Sequence, residues 1–244
     1  MRSLQSLPTQ RSVIRKGFRW DRADAYLFDI DGTLLNSRDS IHYFAFVRAV
    51  RQVLSIEVRM DGVPVHGHTD VGIVREVLRR AGITEDISEK HLPRILETMC
   101  TEVGRNYQHL RPEVCPAIPA LIHHLRSRGA LLGTASGNLE AIGWWKLEKA
   151  ELKEMFAFGS FSWPRETRAE IFGQGLLLAR QRLGAAASVC VVGDTPADIE
   201  AARMVGTDVI ALATGIFPFE ELLACGPDAC LACAADLLSL PEAP

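Results

Sequence analysis

The sequence predicts a doubly wound α/β protein with a parallel sheet, interrupted by a small inserted helical domain. Three observations carry this: short apolar runs that end abruptly, helical stripes between the later runs, and a long, purely helical interval after the first run. The first run, Ala25-Tyr26-Leu27-Phe28, stops at Asp29, and similar runs occupy 130–133, 189–192 and 209–212. Unbroken apolar segments of this length fit strands covered on both faces. Between the later runs lie helical stripes: Leu121, Leu125 and Arg128; Leu139, Ile142, Leu147 and Ala150; Ile171, Phe172, Ala179 and Leu183. Strands alternating with helices build βαβ units, and ligands then bind beyond the carboxyl ends of the strands. Residues just after each run are therefore the candidates for function.

The interval 37–112 breaks this alternation. Tyr43, Phe46, Val47, Val50 and Leu54 form one helical stripe, and Val71, Val74, Leu78 and Ala81 a second. Leu92, Ile95, Leu96, Met99, Val103, Tyr107 and Leu110 form a third. Three amphipathic helices inserted after the first strand read as a small domain over the binding edge of the sheet. Segment 56–65, with Asp61-Gly62 inside it, reads as a hairpin or a loop. The expected organisation is a basic, poorly ordered extension at 1–22, an α/β core at 23–36 and 113–244, and the helical insertion at 37–112.

Composition narrows the function classes. The 244 residues carry 27 Lys and Arg against 30 Asp and Glu, a net charge of −3. That near balance excludes a dedicated nucleic-acid binder, which needs a basic surface. No run of about 18 apolar residues occurs, so no membrane-spanning helix is expected. A hydrophobic share of 48% excludes a disordered or low-complexity chain. The six cysteines are too dilute for a disulfide scaffold. Cys230 and Cys233 have C-x-x-C spacing, but no His follows them to complete a metal site, so the thiols read as reduced and the compartment as cytoplasmic. The first 20 residues contain Arg2, Arg11, Arg15, Lys16 and Arg19 and no acid, with Pro8 against an amphipathic helix, which reads as a frayed basic extension.

The strand ends carry the chemistry. Asp29-Ile30-Asp31-Gly32-Thr33 places two carboxylates two residues apart. One can attack an electrophile while the other handles a proton, or both can hold Mg²⁺; equally, Asp-Gly opens a turn. Gly193-Asp194-Thr195-Pro196-Ala197-Asp198 reads as a helix start, with Thr195 the N-cap, Pro196 at N1 and Asp198 the N3 acid. Capping leaves Asp194 unexplained, because an acid buried at a strand end needs a cation. Asp29, Asp194 and Asp198 together suit Mg²⁺. Thr134-Ala135-Ser136-Gly137-Asn138 precedes a helix, where a hydroxyl and backbone N–H groups make a phosphate cradle, or Ser136 or Asn138 simply caps.

In this order the three motifs resemble the haloacid dehalogenase superfamily of aspartate-nucleophile hydrolases, and more closely its phosphoglycolate-phosphatase-like branch. The resemblance spans about residues 23–238 and implies a Rossmann-like core with the inserted helices as a cap. It implies Asp29 as nucleophile, Asp31 as general acid/base, Ser136 and Gly137 as phosphate-binding, and Asp194 and Asp198 with Asp29 and the Asp31 carbonyl as the Mg²⁺ site. The sequence departs from the family at its third motif, since the usual Lys-Pro is missing. Arg168, on the inward face near the start of its helix, is the chosen replacement, with Arg165 in reserve. Lys146, eight residues beyond Asn138, is placed roughly 12 Å down a helix leaving the site and is set aside. His66 and His68 lie in loop 65–70, which in relatives of similar pattern faces the active site; they read either as substrate contacts or, preferred here, as ordinary loop residues, His123-His124 as surface, and Arg75 as a substrate-contact candidate. The expected activity is hydrolysis of a small phosphomonoester by a monomer or homodimer. A phosphomutase or a non-catalytic phosphate- or partner-binding protein is the alternative.

Overall fold

Successive residues of the first apolar run bury into different cores. Tyr26 and Phe28 join one hydrophobic cluster, while Ala25 and Leu27 join another. The same division separates Cys190 and Val192 from Val189 and Val191, and Ile210 and Leu212 from Val209 and Ala211. Side chains alternate across a strand, so these are central strands with a packed layer on each face.

The computed structural model describes residues 11–240. In chain order the elements are β1 (Ser12–Ile14), β2 (Ala25–Phe28), β3 (Leu35–Ser37), α1 (Ile41–Leu54), α2 (Asp70–Arg80), α3 (Glu85–Arg105), β4 (Pro112–Val114), α4 (Ile118–Ser127), β5 (Leu131–Leu139), α5 (Glu140–Lys149), β6 (Phe158–Ser162), α6 (Arg168–Leu183), β7 (Val189–Gly193), α7 (Pro196–Met204), β8 (Asp208–Leu212), α8 (Phe219–Ala224), β9 (Ala229–Leu231) and α9 (Ala234–Leu238). Seven strands form one sheet in the order β1-β9-β8-β7-β2-β5-β6. All its neighbours are parallel except β1 and β9. The chain winds from β2 outward through β5 and β6, then returns to the other side of β2 with β7. This reversal puts a topological switch point beside β2, where such sheets open a binding crevice. Residues of α4, α5 and α9 supply one layer, and α6, α7 and α8 the other.

The helices α1, α2 and α3 enclose a third cluster, which also takes in Leu139 and Ile142. Through those two residues the inserted helices rest on the end of β5 and the start of α5. The chain leaves for the insertion and returns through β3 and β4, paired antiparallel with Leu35 opposite Val114 and Ser37 opposite Pro112. Segment 56–65 is a loop rather than a hairpin, with Val58, Met60 and Val63 buried in the cluster. Among the described residues no helix is long and apolar enough to cross a membrane.

The poorly ordered extension expected at 1–22 is corrected for its described part; residues 1–10 lie outside the described residues. β1 pairs with β9 and closes that edge of the sheet, while Phe18 and Trp20 pack on the core. The Tyr26 hydroxyl donates to the Trp20 carbonyl at 2.8 Å. Arg15 reaches Asp228 at 2.6 Å and Asp208 at 3.2 Å, so the basic bias is matched by acids near the same sheet edge. His124, read as surface, is half-buried and stacks on Trp20 at 5.1 Å.

Phe172 has no exposure and sits in the α6 layer against the sheet. Phe172→Ala is expected to cost about 3–5 kcal/mol, the usual range for emptying such a site. Urea unfolding followed by circular dichroism measures it.

Candidate active site

β2, β5 and β7 are adjacent and parallel, so their carboxyl ends bring Asp29, Ser136 and Asp194 to one edge of the sheet. Asp29 and Asp31 flank the point where the chain turns out of β2. Gly32 follows at a φ of +88°, and a Cβ there would lie 2.1 Å from the Asp194 carboxylate. Only glycine combines that backbone conformation with so close an approach. Thr33 then donates its hydroxyl to Asp194 Oδ1 at 3.0 Å.

Asp198 serves two purposes with separate oxygens. Its Oδ2 accepts from the Thr195 amide at 3.1 Å and from the Thr195 hydroxyl at 2.7 Å, while its own amide donates to that hydroxyl at 3.2 Å. That is a capping box at the start of α7. Its Oδ1 is left facing Arg168 Nη1 at 2.8 Å. The capping and ion-binding interpretations of this motif are therefore compatible in geometry.

Arg168 is the first residue of α6, after the Thr167 N-cap and its Glu170 capping box. A cation is unfavourable at a helix N-terminus. Its guanidinium instead turns to the carboxylates: Nη1 lies 3.0 Å from Asp29 Oδ1, and Nη2 donates to Asp29 Oδ2 at 3.2 Å. Arg165 does not line the same cavity.

Asp29, Asp194 and Asp198 are all buried, and one carboxylate oxygen from each lies within 4.8 Å of the others. Three acids face the single guanidinium of Arg168. Asp29 Oδ1 and Asp198 Oδ1 are buried without a directed hydrogen bond, despite their short distances to Nη1. Burial pushes the Asp29 carboxyl up to about 6, with Arg168 pulling it down and Asp198 pushing it back up. Burial, then Asp198 and Asp29, hold Asp194 well above the usual carboxylate range. Hard oxygen donors in this charge state fit a divalent cation such as Mg²⁺.

Asp31 differs from this trio, since its side chain keeps 41% exposure toward the cavity. Burial of its surroundings raises its carboxyl, but Lys146 and Asn138 outweigh that and hold it below the ordinary value. Lys146 Nζ lies 2.7 Å from Asp31 Oδ2 and 2.9 Å from Asn138 Oδ1, and Asn138 Nδ2 donates to Asp31 Oδ2 at 2.8 Å. The placement of Lys146 away from the site is thus corrected. Helical side chains tilt toward the N-terminus, and the lysine stem reaches back along α5 to the strand ends.

Ser136 and Gly137 border the cavity from a strand rather than from a helix N-terminus. β5 runs through Ser136 to Leu139 with a bulge between them, and α5 begins only at Glu140. Neither Ser136 nor Asn138 caps α5, whose N-cap position is Leu139. Ser136 Oγ accepts from Asn138 Nδ2 at 2.8 Å. The Leu139 amide donates to Asp70 Oδ2 at 2.7 Å.

The insertion closes over this edge. A Cβ on Gly137 would lie 2.5 Å from the His68 carbonyl oxygen, so a glycine is needed where the two backbones meet. The Thr69 hydroxyl donates to the Glu166 carbonyl at 2.7 Å, and Arg168 Nε to the Gly67 carbonyl at 3.4 Å. Arg75, read as a substrate contact, instead pairs with Glu166 at 2.7 Å and with Glu89, and it does not line the cavity. The cavity between the insertion and this edge has a volume of ≈ 210 Å³. That is below the ~300–1,000 Å³ of pockets for drug-sized ligands. Asp29, Asp31, Ser136, Gly137, Lys146, Arg168 and Asp194 line its core side, and His42, Tyr43, Phe46, His66 and His68 its helical side. Loop residues His66 and His68 thus face the cavity. His42 and Asp70 were not singled out from sequence, because their contact joins residues 28 positions apart.

The Asp29 carboxyl predicts how metal-free stability depends on pH. With a folded value of about 6 and an unfolded value of roughly 3.9, its contribution is fully present below the unfolded value and lost as pH rises through the folded one. In EDTA, the melting temperature of the wild type is expected to gain more between pH 8 and pH 5 than that of Asp29→Asn. Equal gains in a thermal scan would contradict the shift.

The sequence model for the haloacid dehalogenase-like hydrolase matches residues 23–206, and a HAD-hydrolase-like model matches residues 175–238. A phosphoglycolate phosphatase from Synechococcus elongatus is 29% identical over 220 residues, covering 88% of this chain and 95% of its own. A haloacid dehalogenase-like family hydrolase from Streptococcus pneumoniae superposes with a TM-score of 0.56 at 21% identity, over 84% of this chain and 92% of that one. A β-phosphoglucomutase from Clostridium difficile superposes with a TM-score of 0.59 at 15% identity, over 82% and 87% of the two chains. The two structural likenesses establish a shared fold. With the family model covering most of the sequence, the chain belongs to the haloacid dehalogenase-like hydrolases.

Proposed function

We propose that this chain is a Mg²⁺-dependent phosphatase that hydrolyses a small phosphomonoester, phosphoglycolate-like or a sugar phosphate, through an aspartyl-phosphate. The observation that carries the reading is the meeting of Asp29 with Asp194, Asp198 and Arg168 at one end of a small cavity that also contains Asp31. The phosphoglycolate phosphatase relative supports the substrate class. Residues 37–112 act as the cap, and 23–36 with 113–244 as the catalytic core.

Asp29 attacks the phosphorus; its Oδ–P bond forms as the ester P–O bond breaks. Asp31 donates a proton to the departing alkoxide, then accepts one from the water that attacks the phosphorus and releases Asp29. Asp31 is ionised beside Lys146 in the free site; a phosphoryl dianion entering the cavity raises its affinity for a proton, because like charges then face each other, and it takes up from solvent the proton that it passes to the alkoxide. Ser136, the amide near Gly137 and Arg168 bind the phosphoryl oxygens. Asp29, Asp194 and Asp198, with the Asp31 carbonyl that the family implies, hold Mg²⁺. The ion supplies charge that offsets the phosphoryl oxygens. The closed cap keeps bulk water from the aspartyl-phosphate. The six cysteines are free thiols, in keeping with a reducing, cytoplasmic setting.

Phosphate release from p-nitrophenyl phosphate and a panel of small phosphomonoesters, with Mg²⁺ or with EDTA, tests this reading. Turnover is expected with Mg²⁺ alone and falls to background in Asp29→Asn, which keeps the side-chain shape and removes the nucleophile. A folded wild type that is inert across the panel contradicts it.

A further inference from the structure

The helical side of the cavity contains a second ordered pair. His42, on α1, places Nε2 3.1 Å from Asp70 Oδ2, and its ring stacks on Phe46 with centroids 5.3 Å apart at an interplanar angle of 25°. The His42 side chain is 15% exposed and that of Asp70 5%. Asp70 is the first residue of α2, after the Thr69 N-cap. The same Asp70 Oδ2 accepts the Leu139 amide at the bulged end of β5. One carboxylate oxygen thus ties together two helices of the insertion and the strand that carries Ser136. The imidazole is held on one side by a hydrogen bond and on its face by an aromatic ring. Nε2 is committed to Asp70, and Nδ1 has no hydrogen-bond partner among the described residues.

Charge directs attention to this nitrogen. Lys146 and Arg168 are the Lys and Arg side chains that line the cavity, and both already face carboxylates. Recognition of the part of a substrate that points away from the phosphoryl group then falls to the helical side, where His42 is the residue with an imposed orientation. We propose that His42, positioned by Asp70, determines specificity by contacting an oxygen function, hydroxyl or carboxylate, on the leaving group. This rests on the phosphatase reading. It also makes recognition depend on cap closure, because Asp70 orients the ring while docked on Leu139.

The test is steady-state kinetics of the full chain with Mg²⁺ on 2-phosphoglycolate, glycerol 3-phosphate, glucose 6-phosphate and p-nitrophenyl phosphate. Wild type is compared with His42→Ala, His42→Gln and Asp70→Asn, with a thermal melt of each. In His42→Ala, kcat/KM for the best ester with a hydroxyl or carboxylate on its leaving group is expected to fall about tenfold further than for p-nitrophenyl phosphate, which has neither, mainly through KM. His42→Gln, which keeps an amide near the imidazole position, recovers part of that selectivity. Asp70→Asn moves in the same direction as His42→Ala by loosening the ring. Loss centred on glycerol 3-phosphate or glucose 6-phosphate identifies a hydroxyl, and loss centred on 2-phosphoglycolate a carboxylate. Equal losses on all four substrates, or none, in variants that melt like wild type overturn the inference and leave the phosphatase reading standing. If His42→Ala does not fold, His42→Gln decides by the same ratio. A folded wild type inert on every substrate overturns both.

Discussion

Three buried carboxylates converge on one guanidinium, and most of the local architecture follows from keeping them there. Asp29, Asp194 and Asp198 lie within reach of one ion, and Arg168 supplies a single positive charge against them. Ionised acids taken out of water cost several kcal/mol each unless they are paired. The chain manages this with fixed dipoles and close backbone approaches: Thr33 on Asp194, the capping box on Asp198, and Gly32 against the Asp194 carboxylate. The imbalance that remains is what makes the site suited to a divalent cation and, in the proposed reaction, to a phosphoryl dianion.

Around that centre, Lys146 and the cap have complementary parts. Lys146 and Asn138 keep Asp31 apart from the acidic trio and pointed into the cavity. The cap meets the core through contacts that lie beside the chemistry: His68 over Gly137, Thr69 and Arg75 on Glu166, Gly67 on Arg168, and Asp70 on Leu139. Opening the cap would break several hydrogen bonds that border the reacting groups. In the proposed reaction, closure would therefore be coupled to the order of the site and would shield the aspartyl-phosphate from bulk water.

What could be read from sequence was set by local signal. The strands buried on both faces, β2, β7 and β8, announce themselves as unbroken apolar runs, and the helices of the insertion by their stripes. Strand β6, Phe-Gly-Ser-Phe-Ser, and the three-residue strands β1, β3, β4 and β9 carry too little pattern to stand out. They owe their pairing to neighbours supplied by the rest of the chain. At the site, acids at strand ends and Arg168 at a helix start could be singled out because position along an element already aims them. Lys146 was misplaced because axial rise alone ignores a long side chain that leans backward. His42 and Asp70 had no signal in spacing, since the contact between them exists only once α1 and α2 pack.

The central claim is that Asp29 carries the phosphoryl group between the two half-reactions. Acid quenching of the Mg²⁺-loaded enzyme during turnover of ³²P-labelled ester, followed by peptide mapping, tests it most directly. The account predicts a hydroxylamine-labile label on the peptide that contains Asp29, absent in Asp29→Asn. Brisk turnover by wild type with no labelled peptide at any quench time would contradict it and point to direct attack by water.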